Sequence, residues 1–478
     1  MMDYHSDMIA EDVVGEMIRR VTGMAMLYGV QKTVTNWEFP EQQEAMPFTL
    51  FPSLMPAEVF TRTRRVHIMF QTLIYRVAND HEFMKKCLKD VLPVDDFTQE
   101  FWNIYNTVRE EGPAQEITLT LSRDDFMMEP KADGSKGQDV KQVEFNTFAS
   151  GAGGVIGAMR DVHRYSLNVA GFPLKEDQLP ENCPSKGLAK GLVKAWQLYG
   201  NDRAVVLFVV GIPEPNSPDQ RWLERHMFES EPRARVIYRT FDQLIQASKL
   251  GENKELLVDD YEVAVVYYRY GYSPKHYPTR KEYDLRLKME RSRAIKCPSM
   301  ASHLAGCKKI QQVLAEPRVL ERFISDPVTV AEIRSVFVGL YRLNQDGSSS
   351  AVIEKALANP DQFVMKPQRE GGGNNHFGAE LKSFLEKIKN TQELSSWILM
   401  DRIRVVEHRN RLIRVGLGPE CRDVCSELGI FGVHLSTPGE ELENFECGWL
   451  LRTKPVEANE GGLFSGFSCL DSPFFVDV

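Results

Sequence analysis

Between Lys366 and Gly378 the chain reads Lys-Pro-Gln-Arg-Glu-Gly-Gly-Gly-Asn-Asn-His-Phe-Gly, a run whose residue types suit a polyphosphate. Gly371, Gly372 and Gly373 carry no side chain, so their backbone N–H groups can close on phosphate oxygens. Lys366 brings a fixed positive charge. Glu370 and Asn375 bring hard oxygen donors, which Mg²⁺ on a polyphosphate requires. The order does not fit a Walker A loop, where the lysine follows the glycines and precedes Ser or Thr, nor the spaced glycines of a kinase loop. A triple glycine is also an ordinary mobile turn, and the flanking Lys, Glu and Asn tilt the reading to phosphate.

Other stretches carry complementary chemistry. In Gln142-Val-Glu-Phe-Asn-Thr147 the alternation of a strand puts Glu144 and Asn146 on one face about 7 Å apart, where they can share a Mg²⁺ ion or form the polar face of an edge strand. Ile117, Leu119 and Leu121 alternate as in a strand, which places Arg123-Asp-Asp at its end; a guanidinium there can grip a carboxylate as a fork. Gly151-Ala-Gly-Gly154 offers another close approach of backbone to ligand. Glu427 stands inside an apolar strand and needs a partner. Arg452-Thr-Lys454 leads to Glu460-Gly-Gly-Leu-Phe-Ser-Gly466, read as a second flexible cover.

The elements that position these groups are legible as periodicities. Helical spacing marks 12–30, 56–92 with a break near Asn79 and Asp80, 188–199, 302–314, 328–341 and 379–389. Apolar runs mark strands at 363–365, 397–403, 412–417, 424–435 and 448–454, with 397–403 leading into a hinge for an adenine ring. From Arg203 to Pro298 strands at 204–210, 236–238 and 263–268 alternate with helices at 222–228 and 241–248, the pattern of a small parallel α/β module. Its strand ends exit into Glu214 to Gln220 and Arg269 to Tyr272, candidate substrate loops.

Composition narrows the class. The chain has 478 residues, 42% apolar and 26% charged, as in an ordinary globular protein of two or three domains. A formal charge of −9 argues against a nucleic-acid binder. No basic-then-apolar segment opens the chain and no apolar run is long enough for a bilayer, so the cytosol is expected. The eight cysteines and ten histidines show no zinc or HExxH spacing, so free thiols and no transition metal are expected.

Phe48-Thr-Leu-Phe-Pro52, Glu144-Phe-Asn-Thr147, Pro184-Ser-Lys-Gly-Leu-Ala189, the run at 366–375, Ser426-Glu-Leu-Gly-Ile-Phe-Gly432 and Leu451-Arg-Thr-Lys454 closely resemble eukaryotic glutathione synthetases, from about residue 45 to the C-terminus. The resemblance implies an α/β (α+β) ATP-grasp fold with an inserted small parallel α/β substrate-binding domain and glycine-rich lids. The divisions are 1–202, 203–305 and 306–478. It further implies a cytosolic homodimer that joins γ-glutamylcysteine to glycine, splitting ATP to ADP and phosphate through an acyl phosphate. Carried onto this chain, Glu144, Asn146 and Glu370 hold two Mg²⁺ ions. Glu144, Lys308, Lys366, Gly371, Gly372, Asn375, Phe377, Met400, Asp401, Arg402, Ile403, Glu427, Lys454 and Glu460 bind ATP. Arg123, Ser150, Gly151, Glu214, Asn216, Gln220, Arg269, Tyr270, Gly271, Tyr272, Arg452, Leu463 and Phe464 hold the peptide and glycine, with Arg123 and Arg452 catalytic.

The chain departs from the family pattern at Ala149 and Gly151, where serines are common, at Tyr270 in place of Asp, at Phe377 in place of Tyr, and in the Leu463-Phe-Ser465 lid. These departures leave open a ligase that uses another small amino acid. A non-catalytic nucleotide-binding protein is the reading from another class. No residue stands out as a general base.

Overall fold

The computed structural model describes residues 11–34, 42–132, 134, 137–148, 150–175, 177–464 and 466–476. The chain's opening residues, Ala149 and Ser465 lie outside the described residues. A seven-stranded sheet forms the body, in the order His408–Ile413, Phe48–Thr49, Cys469–Asp471, Glu440–Pro455, Glu420–Thr437, Thr118–Pro130, Gln138–Asn146. Its two longest strands are one hairpin, turned by Pro438 and by Gly439 at φ 82°, a left-handed conformation that glycine adopts without strain.

Both faces of this sheet are covered, which is why 424–435 is buried without alternation. Helix Ala57–Ala78 packs on one face, where a Cβ at Gly432 would collide with His67 and Gln71. Helix Pro184–Tyr199 packs on the other, its Gly191 against Val433 and Leu121. The first of these helices ends near Asn79, and Asp80 caps the next, His81–Leu88, through the Phe83 N–H.

A second sheet is parallel in Val236–Arg239, Val205–Val209, Tyr261–Tyr268 and Ile295–Cys297, with the hairpin Ser248–Leu250 and Leu256–Val258 added antiparallel. A third, antiparallel, has the order Leu340–Arg342, Trp397–Asp401, Phe363–Pro367, His376–Phe377, backed by Leu381 and Leu385 of helix Gly378–Ile388. Among the described residues no helix is long and apolar enough to cross a membrane.

Four expectations change. Arg123 is not at a strand end but inside Thr118–Pro130, because Phe126, Met127 and Met128 continue the buried run. The 302–314 helix breaks at Gly306-Cys307, where Gly306 lies too close to Thr147 for a Cβ, and Lys308 begins a new helix. The 328–341 helix stops at Val336, and its end becomes strand Leu340–Arg342. The glycine run does not lead straight from strand to helix; it is a hairpin loop returning through His376–Phe377, paired with Val364 and Met365.

Candidate active site

The sheets meet around a cavity of about 300 Å³ that reaches from the glycine hairpin to the body's long strands. Glu144 and Asn146 project into it from strand Gln138–Asn146, Glu370 from the root of the glycine loop, and Lys308 from the first residue of its helix. The Lys308 ammonium is 2.9 Å from Glu144 and 3.6 Å from Glu370. Burial opposes ionisation of Glu144, but Lys308 and Lys366 hold it below the ordinary carboxylate range. Burial and the neighbouring Glu144 push Glu370 up, with Lys308 opposing. Two carboxylates thus share one lysine.

Lys366 is buried and donates to the Val143 carbonyl at 2.9 Å, which ties the glycine hairpin to the strand that carries Glu144. Burial lowers its pKa. Gln368 anchors the loop root by accepting from the Lys309 N–H and donating to the Ser396 carbonyl.

Register aligns Phe377, Val364 and Met400 across three strands, an apolar row that lines the cavity beside Asp401, Arg402 and Ile403. Asn375 and Gly371 lie in the loop above. Gly371 has φ 79° and sits against the Tyr272 ring; Gly372 faces the Glu460 carboxylate, so the two covers touch. Lys454 donates to the Asn459 carbonyl and Arg402 to the Asn459 side chain.

Glu427 has its partner. It pairs with Arg452 across the long hairpin, and burial raises its pKa while Arg452 opposes the rise. Sequence reading missed Asp125, which is fully buried. It accepts from Arg123 at 2.6 and 2.9 Å, from Arg452 at 3.2 Å and from Asn146 at 3.0 Å, so one carboxylate orients both candidate catalytic arginines and a candidate metal ligand. The signal was available: Arg123 and Asp125 are two apart on a strand and therefore share a face.

The profile "Eukaryotic glutathione synthase, ATP binding domain" matches residues 11–475. The chain is 39% identical to glutathione synthetase of Mus musculus over 97% of each chain, and 40% identical to that of Rattus norvegicus over 97% of each. In fold it is similar to a glutathione synthetase-like effector from Globodera pallida in apo form, with TM-score 0.78 and 24% identity over 98% of each chain. The chain belongs to the eukaryotic glutathione synthase family. It is an ATP-dependent ligase with the mixed α/β architecture of that family.

The candidate substrate loops sit beside this cavity. Arg123 donates to the Gly151 carbonyl and Arg269 to the Ser150 carbonyl, so two arginines grip one turn of backbone. Ser150 and Tyr272 line the cavity. Asp219, a second residue missed from sequence, pairs with Arg269 at 3.1 Å and accepts from the N–H groups of Ala152 and Gly154. The glycines at 153 and 154 therefore make room for Leu188 and Asp219 and not for a ligand. Asn216 Oδ1, Gln220 Nε2 and Arg269 Nε are buried without hydrogen-bond partners, polar atoms left for a bound molecule.

The remaining predicted contacts are not at the cavity wall. Glu214 accepts the Asn216 N–H. Tyr270 stacks on His276 with ring centroids 3.7 Å apart, and Gly271 donates to His276 and accepts from the Tyr277 hydroxyl. Leu463 is buried in the apolar core and Phe464 packs against it, because their side chains find apolar neighbours there; the residues before them, Glu460 to Gly462, line the cavity instead.

Proposed function

We propose that the chain joins γ-glutamylcysteine to glycine, using ATP and Mg²⁺, as a homodimer in the cytosol. The single observation that carries the reading is the convergence of Glu144, Asn146 and Glu370 with Lys308 and Lys366 on a cavity flanked by Arg123 and Arg452. Assembly and location rest on the family resemblance alone. The 203–305 region is the peptide-holding unit in this proposal, and 306–478 the nucleotide unit.

The donor set fits Mg²⁺. Among the described residues no group of three His, Cys, Asp or Glu side chains is placed to hold a metal ion, as a transition-metal cage would need. Two carboxylates and an amide oxygen beside a phosphate cavity instead match an ion that keeps waters and takes substrate phosphates as ligands. Glu144, Asn146 and Glu370 would hold it, and it would neutralise charge on the phosphates.

The chain's own residues supply positioning and charge. The Phe377–Val364–Met400 row receives the adenine, and the glycine hairpin closes on the phosphates with Lys366 beneath. Arg123 holds the C-terminal carboxylate of the dipeptide in line with the γ-phosphate. Its oxygen takes the phosphoryl group and ADP leaves. Arg452 stabilises charge on the acyl phosphate from the other side. The glycine amine then attacks the carbonyl carbon, the C–O bond to phosphate breaks, and the amine proton leaves on phosphate or water. Closure of the two covers excludes water, which would otherwise hydrolyse the acyl phosphate.

Purified protein with ATP, Mg²⁺ and γ-glutamylcysteine, given glycine, alanine or serine in turn, tests this by ADP release and product mass. Glycine is expected to give the fastest turnover. Equal rates would overturn the amine assignment, and ATP binding without turnover would overturn the enzyme reading.

A further inference from the structure

Cys183 immediately precedes helix Pro184–Tyr199, is exposed and is not among the residues that line the cavity. Its Sγ is 3.6 Å from Nε2 of His226, whose Nδ1 is 3.1 Å from Glu229 Oε2. His226 and Glu229 lie three residues apart on helix Ser217–Ser230 and so share a face. The ring is held by stacking on Trp222, with centroids 6.0 Å apart. Ser185 Oγ is 3.8 Å from the sulfur. A thiol, a base and a carboxylate that orients the base are the parts of an activated nucleophile.

We propose that Cys183 is a modification site, a nucleophilic thiol prepared by His226 and Glu229 to exchange with small disulfides. The cluster serves no step of the ligation and is assigned independently of it. Its surroundings separate it from six of the other seven cysteines. Burial pushes up the thiols of Cys87, Cys297, Cys307, Cys425, Cys447 and Cys469. The hydrogen bond from His226 leads the causes that hold Cys183 below the ordinary thiol value, and the same bond raises His226. The start of the helix adds its positive end. The titratable groups facing the pair are Glu229, which is itself paired with Arg225 on the same helix, and Cys447 on the long hairpin, which has Glu446 beside it.

The step balances without a further reagent. The Cys183 proton passes to His226, and the thiolate attacks one sulfur of the disulfide. A new S–S bond forms as the old one breaks, and the departing sulfur takes the electron pair and then the proton from the imidazolium. The small disulfide is the oxidant and leaves as one equivalent of thiol, with the other half bound to Cys183.

The test uses the full chain and bis(2-hydroxyethyl) disulfide, following adduct mass and its position by peptide mapping from pH 6 to 9. At pH 7 Cys183 should react about tenfold faster than the same thiol in the urea-unfolded chain, the gain expected from a larger thiolate fraction. H226Q should remove most of that gain and move the rate profile to higher pH, and E229Q should do so in part. ATP-dependent turnover of both variants should match wild type, which shows them folded. A Cys183 rate equal to that of the unfolded chain, or a rate and pH profile unchanged in folded H226Q and E229Q, would overturn the proposal.

Discussion

Asp125→Asn is the sharpest test of how the site is organised. The carboxylate is fully buried and receives four donors: two from Arg123, one from Arg452 and one from Asn146. The carboxamide keeps the size but loses the charge and turns an amide N–H₂ toward a guanidinium, so the Arg123 fork loses one acceptor outright. Removing one member of a buried ion pair costs about 3–5 kcal/mol, and the lower end applies because Arg452 keeps Glu427. In the proposed mechanism, releasing Arg123 would remove a charge-stabilising donor of the kind worth about 3 kcal/mol, so kcat should fall roughly 100-fold. Urea unfolding measures the first effect, and ADP release at saturating ATP, Mg²⁺, γ-glutamylcysteine and glycine the second. A folded Asn variant with wild-type kcat would refute the idea that one carboxylate aims both arginines.

Three further outcomes are expected. Glu144→Ala should abolish ADP release while circular dichroism shows an intact fold; full activity would refute its assignment to Mg²⁺. Gly371→Ala places a methyl on a residue at φ 79° and 3.3 Å from Tyr272, a strain of about 1–2 kcal/mol on the closed loop, so KM for ATP should rise about tenfold with little change in global stability. His163 is buried and desolvation lowers its pKa from 6.5 to about 4, despite its bond to the Thr49 carbonyl. Between those values the unfolded chain binds a proton there that the folded chain does not. Stability should therefore be fully present above pH 6.5 and fall by about 3 kcal/mol as pH drops to 4, and His163→Gln should flatten that part of the urea-unfolding profile.

Chemistry within one strand or loop was legible in the sequence, and chemistry made by the meeting of elements was not. Glu144 and Asn146 face the cavity because strand alternation alone puts them on one side. Glu427 was flagged by its acidity within an apolar run, and its pairing with Arg452 follows from a hairpin register that the sequence does not state. Arg123 was set at a strand end because the alternation of Ile117, Leu119 and Leu121 stops before it; burial of Asp124 and Asp125 against Gln142 and Arg123 lets the strand run on. Leu463 and Phe464 were assigned to the lid by position, yet their apolar side chains gain more by joining the core than by facing a polar cavity. Asp219 looked like one more loop acid, and only the fold brings Arg269 and two backbone N–H groups to it.

The charge around the cavity explains how an acidic protein can receive a polyanion. The chain carries −9 overall, but the cavity wall sets seven Lys and Arg side chains against five Asp and Glu. Three of those cations are held by carboxylates. Lys308 is held by Glu144 and Glu370, Arg452 by Glu427 and Asp125, and Arg123 by Asp125. A phosphate that draws on these three must therefore compete with carboxylates already in place, and it gains only if those carboxylates find another positive partner. In the proposed site Glu144 and Glu370 are the two that would gain one from a divalent cation arriving with the nucleotide, and Lys308 would then be free to turn to the phosphates. Asp125 is bound to both arginines and to Asn146, so in this proposal the carboxylates around Lys308 would exchange partners while the arginine side would stay fixed. Nucleotide binding should accordingly depend steeply on Mg²⁺ in the wild type and weakly in Lys308→Met, where no lysine remains to be released. An equal Mg²⁺ dependence in calorimetric titrations of the two proteins would show that Lys308 is not the group exchanged.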